Sequence, residues 1–293
     1  MTGRFARKHW PLPLRSARVL VGGGIVLLVL LCAVFAPLIA PYDPNAQDLL
    51  NTLAPPAWME GGNPDFLLGT DNLGQDTLSR LIYGARVAMV VAIVAALGAM
   101  LLGTTLALLA GYFGGVVDWL ISRAVDLWMS FPPVVLSLIL IVGFGVGLSN
   151  VILAIVLVDW TRFCRVVRSE VIVVRRHDYI DAARLAGFSH LRTLVREVLP
   201  AVAPLIITLV SLEMAIALIV EAILSFVGMS VEANIPAWGV MIADARKYMY
   251  QTVWGLVLPI LAIVVTVIGF NLLGDGLRRT LDPKLLQRET VAA

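Results

Sequence analysis

Four stretches of this sequence contain no charged side chain over more than 20 residues: 19–39, 87–110, 127–158 and 252–273. A fifth stretch, residues 202–227, is apolar except for Glu213 and Glu221. A helix needs about 20 apolar residues to cross the hydrocarbon core of a bilayer, where lipid cannot satisfy open backbone groups. The five stretches therefore predict a helical membrane protein.

The stretch from 127 to 158 is too long for one comfortable span. Small residues interrupt it near the middle: Gly143, Gly145, Gly147, Ser149 and Asn150. Because these residues favour turns, we expect two helices joined by a tight turn. The chain is then predicted to be an all-α protein with six transmembrane helices. The composition agrees, since 14% of its residues are charged against about 25% in soluble domains.

The distribution of lysine and arginine predicts the orientation of these helices, because cytoplasmic loops are rich in both. If the N-terminus is cytoplasmic, 18 of the 22 basic residues fall on the cytoplasmic side. The remaining four, Arg80, Arg86, Arg246 and Lys247, fall outside. Both termini are therefore expected in the cytoplasm.

The same pattern divides the chain into segments. We expect a cytoplasmic N-terminal segment (1–18), a first transmembrane helix (19–39), an extracytoplasmic loop (40–86), a core of transmembrane helices (87–275) with a polar cytoplasmic loop at 170–200, and a cytoplasmic tail (276–293). A cleaved signal peptide is the alternative for the first stretch. Its 21 residues exceed the roughly 7–15 of a signal-peptide core, which favours an uncleaved helix.

The second half of the extracytoplasmic loop differs in character from the first. Leu78, Leu81, Ile82 and Ala85 recur at helical spacing after polar residues. This pattern predicts an amphipathic helix that lies on the outer surface of the membrane ahead of the second span.

A polar segment, DYIDAARLAGFSHLRTLVREVLP, interrupts the apolar second half of the chain at residues 178–200. Asp178 is the candidate N-cap of a short helix with Asp181 at its third helical position, and Gly187 suits the left-handed residue that ends a helix. A helix of about two turns is too short to be stable by propensity alone. Another surface must therefore hold it.

The side chains of this short helix suit close contact. Ala182, Ala183 and Ala186 add little bulk, whereas Tyr179 and Leu185 are large enough to serve as anchors. Two interpretations remain open on physical grounds. The helix either rests on the membrane surface or docks into a cytoplasmic partner.

A second helix is expected at residues 190–199, because Leu191, Leu194, Val195 and Val198 share one face. Pro200 is expected to end this helix and to start the fifth span.

The sequence DAARLAG, followed ten residues later by VLP, resembles the EAA motif of permease subunits in ABC importers. Further blocks resemble the C-type permease subunit of dipeptide, oligopeptide and nickel importers: LGTDNLGQDTLSRLIYGAR, AGYFGG, EAILSFVG, AWGVMI and FNLLGDGLRRTLDP. They occur in the expected order and extend over most of the chain. An ordered set of this kind is far more specific than any one block.

The resemblance implies a type I importer-like permease fold whose short helix couples to a groove of an ATPase. The implied coupling residues are Asp178, Tyr179, Asp181, Ala182, Ala183, Leu185, Ala186 and Gly187. It also implies a heterodimer with a second homologous permease, two cytoplasmic ATPase subunits and an extracytoplasmic substrate-binding protein, in the inner membrane of a prokaryote. Short peptides are the first expectation for the substrate, and nickel chelates or other small solutes are the alternative.

Four positions depart from the family pattern. Asp181 stands where the motif usually has glutamate, and Gln75 stands where arginine is usual. Asp159 and Cys164 are also unusual in their context. These departures leave the class unchanged but weaken any transfer of substrate from family members.

The chain shows no ATPase motif of its own. A Walker A motif requires a lysine after a glycine, whereas Lys8, Lys247 and Lys284 follow arginine, arginine and proline. ATP and magnesium are therefore expected on partner ATPase subunits. No catalytic residue, cofactor or metal site is expected in this chain.

Glu213 and Glu221 are the candidates for the translocation pathway, because ionisable residues inside a membrane are costly and often functional. A structural hydrogen bond is the alternative for each. Two other classes of protein stay open: a proton-driven secondary transporter with Glu213 as its relay, and a membrane scaffold without transport activity.

Overall fold

The computed structural model describes residues 16–232 and 234–281 of the chain. Regular structure in these residues is helical, apart from one isolated bridge between Thr70 and Asp76. The helices are α1 (Ala17–Val34), α2 (Ala36–Ile39), α3 (Thr77–Phe113), α4 (Gly115–Met129), α5 (Pro133–Phe144), α6 (Leu148–Val174), α7 (Asp178–Leu185), α8 (His190–Thr193), α9 (Leu199–Phe226), α10 (Trp238–Ala245) and α11 (Trp254–Leu281). The predicted all-α class is confirmed. Most of the predicted N-terminal segment and of the predicted tail lies outside the described residues.

Four helices in the described part of the chain are long and apolar enough to cross a membrane. They are α1, α3, α11 and a helix that continues from α8 through α9. The α4–α5 pair forms a fifth candidate span, bent by 90° at its break. Helix α6 has 27 residues, but Asp159, Arg162 and Arg165 shorten its apolar part. The structure thus gives four or five spans by length and composition, and six stays a prediction.

The predicted turn inside the 127–158 stretch is present. Helix α5 ends at Phe144 and α6 begins at Leu148, with Gly145 and Gly147 between them at φ values of +90° and +152°. Asn150 donates hydrogen bonds of 3.0 Å to the carbonyl oxygens of Phe144 and Gly145. The start of the stretch belongs instead to α4, which the charge-free pattern did not separate from α5.

The predicted amphipathic surface helix is not a separate element. Its residues form the first turns of α3, which begins after the N-cap Asp76 and runs without a break to Phe113. Ser79 and Arg80 on these turns are buried, because the preceding loop folds back over them, as the hydrogen bond from Tyr42 N to Ser79 Oγ at 3.1 Å shows. The polar side of this helix therefore faces protein.

Helix α3 packs most extensively against α6. Glycines of α3 permit this close approach: a Cβ on Gly103 would lie 2.4 Å from the Trp160 carbonyl oxygen, and one on Gly111 would lie 2.7 Å from a Val171 methyl group. Small residues at helix contacts let backbones approach closely in membranes, where van der Waals packing drives association. The α3–α6 pair therefore forms the centre of the described fold.

Replacing Gly103 with alanine is expected to destabilise the protein by about 1–3 kcal/mol, because the added methyl group must displace a backbone atom. Thermal unfolding of the purified protein in detergent would measure the loss. Gly24→Ala is the matched control, since a Cβ on Gly24 meets nothing within 4 Å. Equal melting temperatures for the two variants would contradict the tight α3–α6 contact.

Candidate coupling helix and buried acidic residues

The short predicted helix is present as α7, with eight residues from Asp178 to Leu185. The assignment of Asp178 as its N-cap is wrong. His177 occupies that position with extended backbone, and no side chain caps the helix. Asp178 and Asp181 lie in the first turn, where negative charge interacts favourably with the helix dipole.

The C-terminal end of α7 agrees with the sequence prediction. Gly187 has a φ of +88°, the left-handed conformation that favours glycine. Phe188 N donates to the Ala183 carbonyl oxygen at 3.1 Å and Gly187 N to that of Arg184 at 3.0 Å. These two hydrogen bonds form a Schellman motif. The helix is thus closed by its own backbone.

One side chain of α7 holds the helix on the bundle. Ile180 is 1% exposed and belongs to the same buried cluster as Tyr112, Trp160 and Val198. Ile180 was not identified from the sequence; Tyr179 and Leu185 were proposed as anchors for another surface, and these two side chains are 44% and 90% exposed. One signal in the sequence could have identified it: Ile180 is a large β-branched aliphatic residue of α7 that lies between the polar residues Tyr179 and Asp181.

The remaining predicted coupling residues form an outward face. Asp178, Asp181, Ala182, Leu185, Ala186 and Gly187 are exposed, and Ala183 is half-buried. Tyr179 stacks on His177 with ring centroids 5.8 Å apart. Partial burial, together with the nearby Glu197 carboxylate, raises the pKa of Tyr179. The structure therefore presents these residues together on one accessible surface.

The second predicted helix does not end at Pro200. Helix α8 is followed by a π-helical turn, residues 194–198, that leads directly into α9, and Pro200 lies in the first turn of α9. Proline is tolerated there because its missing N–H needs no helical partner. Leu194 and Val198 of the predicted apolar face are buried, whereas Leu191 and Val195 are exposed.

A polar contact joins this region to α3. Tyr112 Oη lies 3.2 Å from His190 Nδ1, and the two rings meet edge to face with centroids 5.7 Å apart. Arg184 Nη2 of α7 lies 3.5 Å from the other ring nitrogen of His190. His190 thus contacts both α7 and the end of α3.

Glu213 lies in a buried cluster of charges. Its side chain is 2% exposed, and its Oε2 is 3.5 Å from Arg162 Nη1. Asp159, also buried, lies 3.9 Å from the same guanidinium. Two carboxylates therefore share one arginine, and Glu213 Oε1 has no hydrogen-bond partner among the described residues. Asp159 was noted in the sequence only as a departure from the family pattern.

Glu221 has a different environment. It is 1% exposed, and its Oε1 accepts hydrogen bonds from Ser225 Oγ at 2.5 Å and from Ser230 Oγ at 3.2 Å. The Ser230 carbonyl oxygen accepts from Gly147 N at 2.9 Å. Glu221 therefore fastens the end of α9 to the turn between α5 and α6.

Comparison with known proteins agrees with this geometry. Residues 103–287 match the family described as binding-protein-dependent transport system inner membrane component. Residues 14–56 match the N-terminal transmembrane domain of oligopeptide transport permease C. The chain belongs to this family of ABC importer permeases.

Curated relatives of the permease align over nearly all of it. The di/tripeptide transport system permease protein DppC of Pseudomonas aeruginosa is 41% identical over 266 residues, covering 90% of this chain and 88% of the relative. The dipeptide transport system permease protein DppC of Escherichia coli K12 is 41% identical over 282 residues, covering 96% and 94%. The MetNI methionine ABC transporter in an inward-facing conformation shares the fold, with a TM-score of 0.55 and 19% identity over 69% of this chain and 96% of that one.

Two ion pairs hold α4 against α6 in the permease. Arg168 binds both carboxylate oxygens of Asp118, with Nη2 to Oδ2 at 2.6 Å. Arg165 pairs with Asp126 at 3.0 Å, and Arg123 pairs with the same carboxylate. Arg165 and Arg168 of α6 therefore form ion pairs inside the subunit and hold α4 against α6.

Two of the departures from the family pattern, Gln75 and Cys164, lie in well-packed surroundings. Gln75 is buried and donates from Nε2 to the Asn45 carbonyl oxygen at 3.3 Å. Cys164 is fully buried beside Gly103 in the α3–α6 contact. Asp181 is exposed on α7, so its shorter side chain changes the outward face of the helix rather than its support.

The anchoring role of Ile180 gives a stability prediction. Ile180→Ala is expected to cost about 2–5 kcal/mol, as for other buried aliphatic truncations, and to speed hydrogen exchange across α7. Leu185→Ala is the matched control and should leave both quantities unchanged, because Leu185 is 90% exposed. Exchange mass spectrometry of the purified permease subunit on its own measures the difference, and a larger effect of Leu185→Ala would reverse the assignment.

Proposed function

We propose that this permease imports short peptides as one of two homologous permease subunits. The observation that carries the proposal is the closed helix α7, fixed to the bundle by Ile180 and exposed on its other sides. Such a helix transmits displacement better than a flexible loop. The names of the relatives, which specify dipeptides and di- or tripeptides, favour peptides over nickel chelates as the substrate.

The proposed topology has six spans with both termini in the cytoplasm. Helices α1, α3, α6, α11 and the continuous α8–α9 helix would cross the membrane, together with the bent α4–α5 pair. The positive charge supports this orientation, because the segment from 162 to 196 alone carries eight arginines. Helix α7 then faces the cytoplasm of a prokaryote, below the inner membrane.

Energy for transport would come from two cytoplasmic ATPase subunits that bind ATP and magnesium. An extracytoplasmic binding protein would deliver the peptide. The outward face of α7 suits an ATPase groove, since Ala182, Ala183 and Ala186 permit close approach while Leu185 projects. Apolar side chains that fill a partner's pocket contribute most to such interfaces.

Three contacts would transmit a displacement of α7 to the other helices. Ile180 moves the core that includes Trp160 of α6, and His190 contacts Tyr112 at the end of α3. The π-helical turn passes movement to α9, which carries Glu213. ATP binding drives the switch between inward-open and outward-open states only if the ATPases contact α7 differently in the two states.

Glu213 is the better candidate for the pathway, and Glu221 the better candidate for support. Glu213 and Asp159 share one guanidinium, so the charge of that arginine is divided between two acids, and this acidic pair suits a further donor such as a peptide ammonium group. Arg162 is 40% exposed, which connects the cluster to the surface of the subunit. Glu221 instead accepts hydrogen bonds from Ser225 and Ser230 on Oε1.

Ala183→Trp and Gly187→Val test the coupling role. Tryptophan adds bulk to the docking face, and valine at Gly187 strains the left-handed residue by about 1–2 kcal/mol. Both variants are expected to lose at least about tenfold in peptide uptake and in stimulation of ATP hydrolysis by the loaded binding protein, a change of about 1.4 kcal/mol in coupling. The measurement uses the reconstituted complex in proteoliposomes.

Leu191→Ala is the control for these variants, because Leu191 is exposed on α8 outside the proposed docking face. Transport and stimulation at wild-type levels in both α7 variants would refute the docking role. Uptake by the permease without any ATPase subunit would instead support a secondary transporter.

Glu213→Gln and Glu221→Gln separate pathway from support. Glu213→Gln is expected to slow uptake without lowering the melting temperature, because it removes one of two acids around a single arginine. Glu221→Gln is expected to lower the melting temperature, because the amide brings two N–H donors into a buried site that held a carboxyl group, and an unsatisfied buried donor is costly. Uptake at the wild-type rate in Glu213→Gln would favour a structural role for both acids.

A further inference from the structure

A surface concavity of about 470 Å³ lies where α3 ends, α4 begins and α6 ends. Its floor is made of small residues of α3 and of the turn to α4, and two arginines, Arg175 and Arg176, line its side. None of the roles described above uses this site. It lies at the same end of the bundle as α7, which begins two residues after Arg176.

The turn between α3 and α4 positions Arg175. A Cβ on Gly114, whose φ is +68°, would lie 3.2 Å from Arg175 Nη1, so the guanidinium rests against a backbone without a side chain. The same guanidinium carbon is 6.0 Å from the centre of the Tyr112 ring, within reach of a cation–π interaction. Arg175 is therefore held beside the concavity from two sides.

The charge of the concavity is positive. Asp118 also lines it, but Arg168 binds both oxygens of that carboxylate. Neither Arg175 nor Arg176 forms an ion pair with an acid among residues 16–232 and 234–281. Two guanidinium groups thus remain available to one anion.

The surroundings of the concavity are apolar and exposed. Val116 is 81% exposed, Trp119 63%, Leu120 62% and Val173 50%. Exposed apolar side chains of a membrane protein face acyl chains, and tryptophan concentrates at the level of the headgroups. In the six-span topology proposed above, this surface would face lipid, and the arginines would lie near the level of the lipid phosphates.

We propose that this concavity binds the phosphate of an anionic phospholipid in the adjoining leaflet. Arginine forms paired charge-assisted hydrogen bonds with phosphate oxygens, and basic pockets at helix ends bind anionic headgroups. The acyl chains would lie along Val116 and Leu120 of α4. The bound lipid would join the ends of α3, α4 and α6 next to the coupling helix.

The test is retention of labelled phosphatidylglycerol by the complete transport complex, purified from nanodiscs that contain phosphatidylethanolamine and phosphatidylglycerol. The variant is Arg175→Gln with Arg176→Gln, and the matched control is Arg123→Gln, another exposed arginine near this end of the bundle. The double variant is expected to retain about tenfold less lipid, as for the loss of a charge-assisted contact, while the control retains the wild-type amount. Arg176→Gln alone should show a partial loss and serves if the double variant does not fold.

A second arm distinguishes the source of the phosphate. Phosphatidylglycerol, but not inorganic phosphate or glycerol 3-phosphate at the same concentration, is expected to raise the melting temperature of the complex in detergent. Equal retention of lipid by the double variant and the control would overturn the proposal. Equal stabilisation of the complex by inorganic phosphate would also overturn it. If the double variant lost the ATPase subunits but retained the wild-type amount of lipid, the arginines would be a contact to protein, and the proposal would again be wrong.

Discussion

The close approach of α3 and α6 is the contact on which the rest of the subunit depends. In a bilayer, apolar surface gains little by leaving lipid, so helices associate through dense packing and polar contacts. Gly103 and Gly111 supply that density, because any side chain there would collide with α6. Around this pair, α9 places Glu213 beside Arg162, and Asp118 and Asp126 connect α4 to α6 through ion pairs. Ile180 packs into the buried cluster and so holds α7 on the bundle.

Tertiary contacts distinguish two acidic residues that look alike in the sequence. Glu213 and Glu221 stand eight positions apart in one apolar helix, and the sequence offered the same two roles for each. The structure gives Glu221 two serine hydroxyls and gives Glu213 a share of one arginine. The partner of Glu213 comes from a distant part of the chain, since Arg162 lies on α6, whereas Ser225 and Ser230 follow Glu221 by four and nine residues.

Structural features that depend on a few neighbouring residues could be predicted from the sequence. The apolar stretches indicated the helices, the glycines near 145 indicated the turn, and Gly187 indicated the end of α7 because its conformation depends on a few adjacent residues. The anchor of α7 could not be found in this way, since Ile180 is buried by helices far away in the chain. The surface helix at 78–85 was mispredicted for a similar reason: its polar side is covered by a loop whose fold the helical pattern does not contain.

The π-helical turn between α8 and α9 holds one residue more than an α-helical turn would. Each residue of an α-helix advances the chain by about 1.5 Å and rotates it by about 100°. If the turn tightens to α-geometry, the segment on the α7 side must swing about the helix axis while α9 keeps its depth in the bilayer. The extra residue would thus let the segment that carries α7 rotate relative to α9 without changing the register of Glu213 against α6.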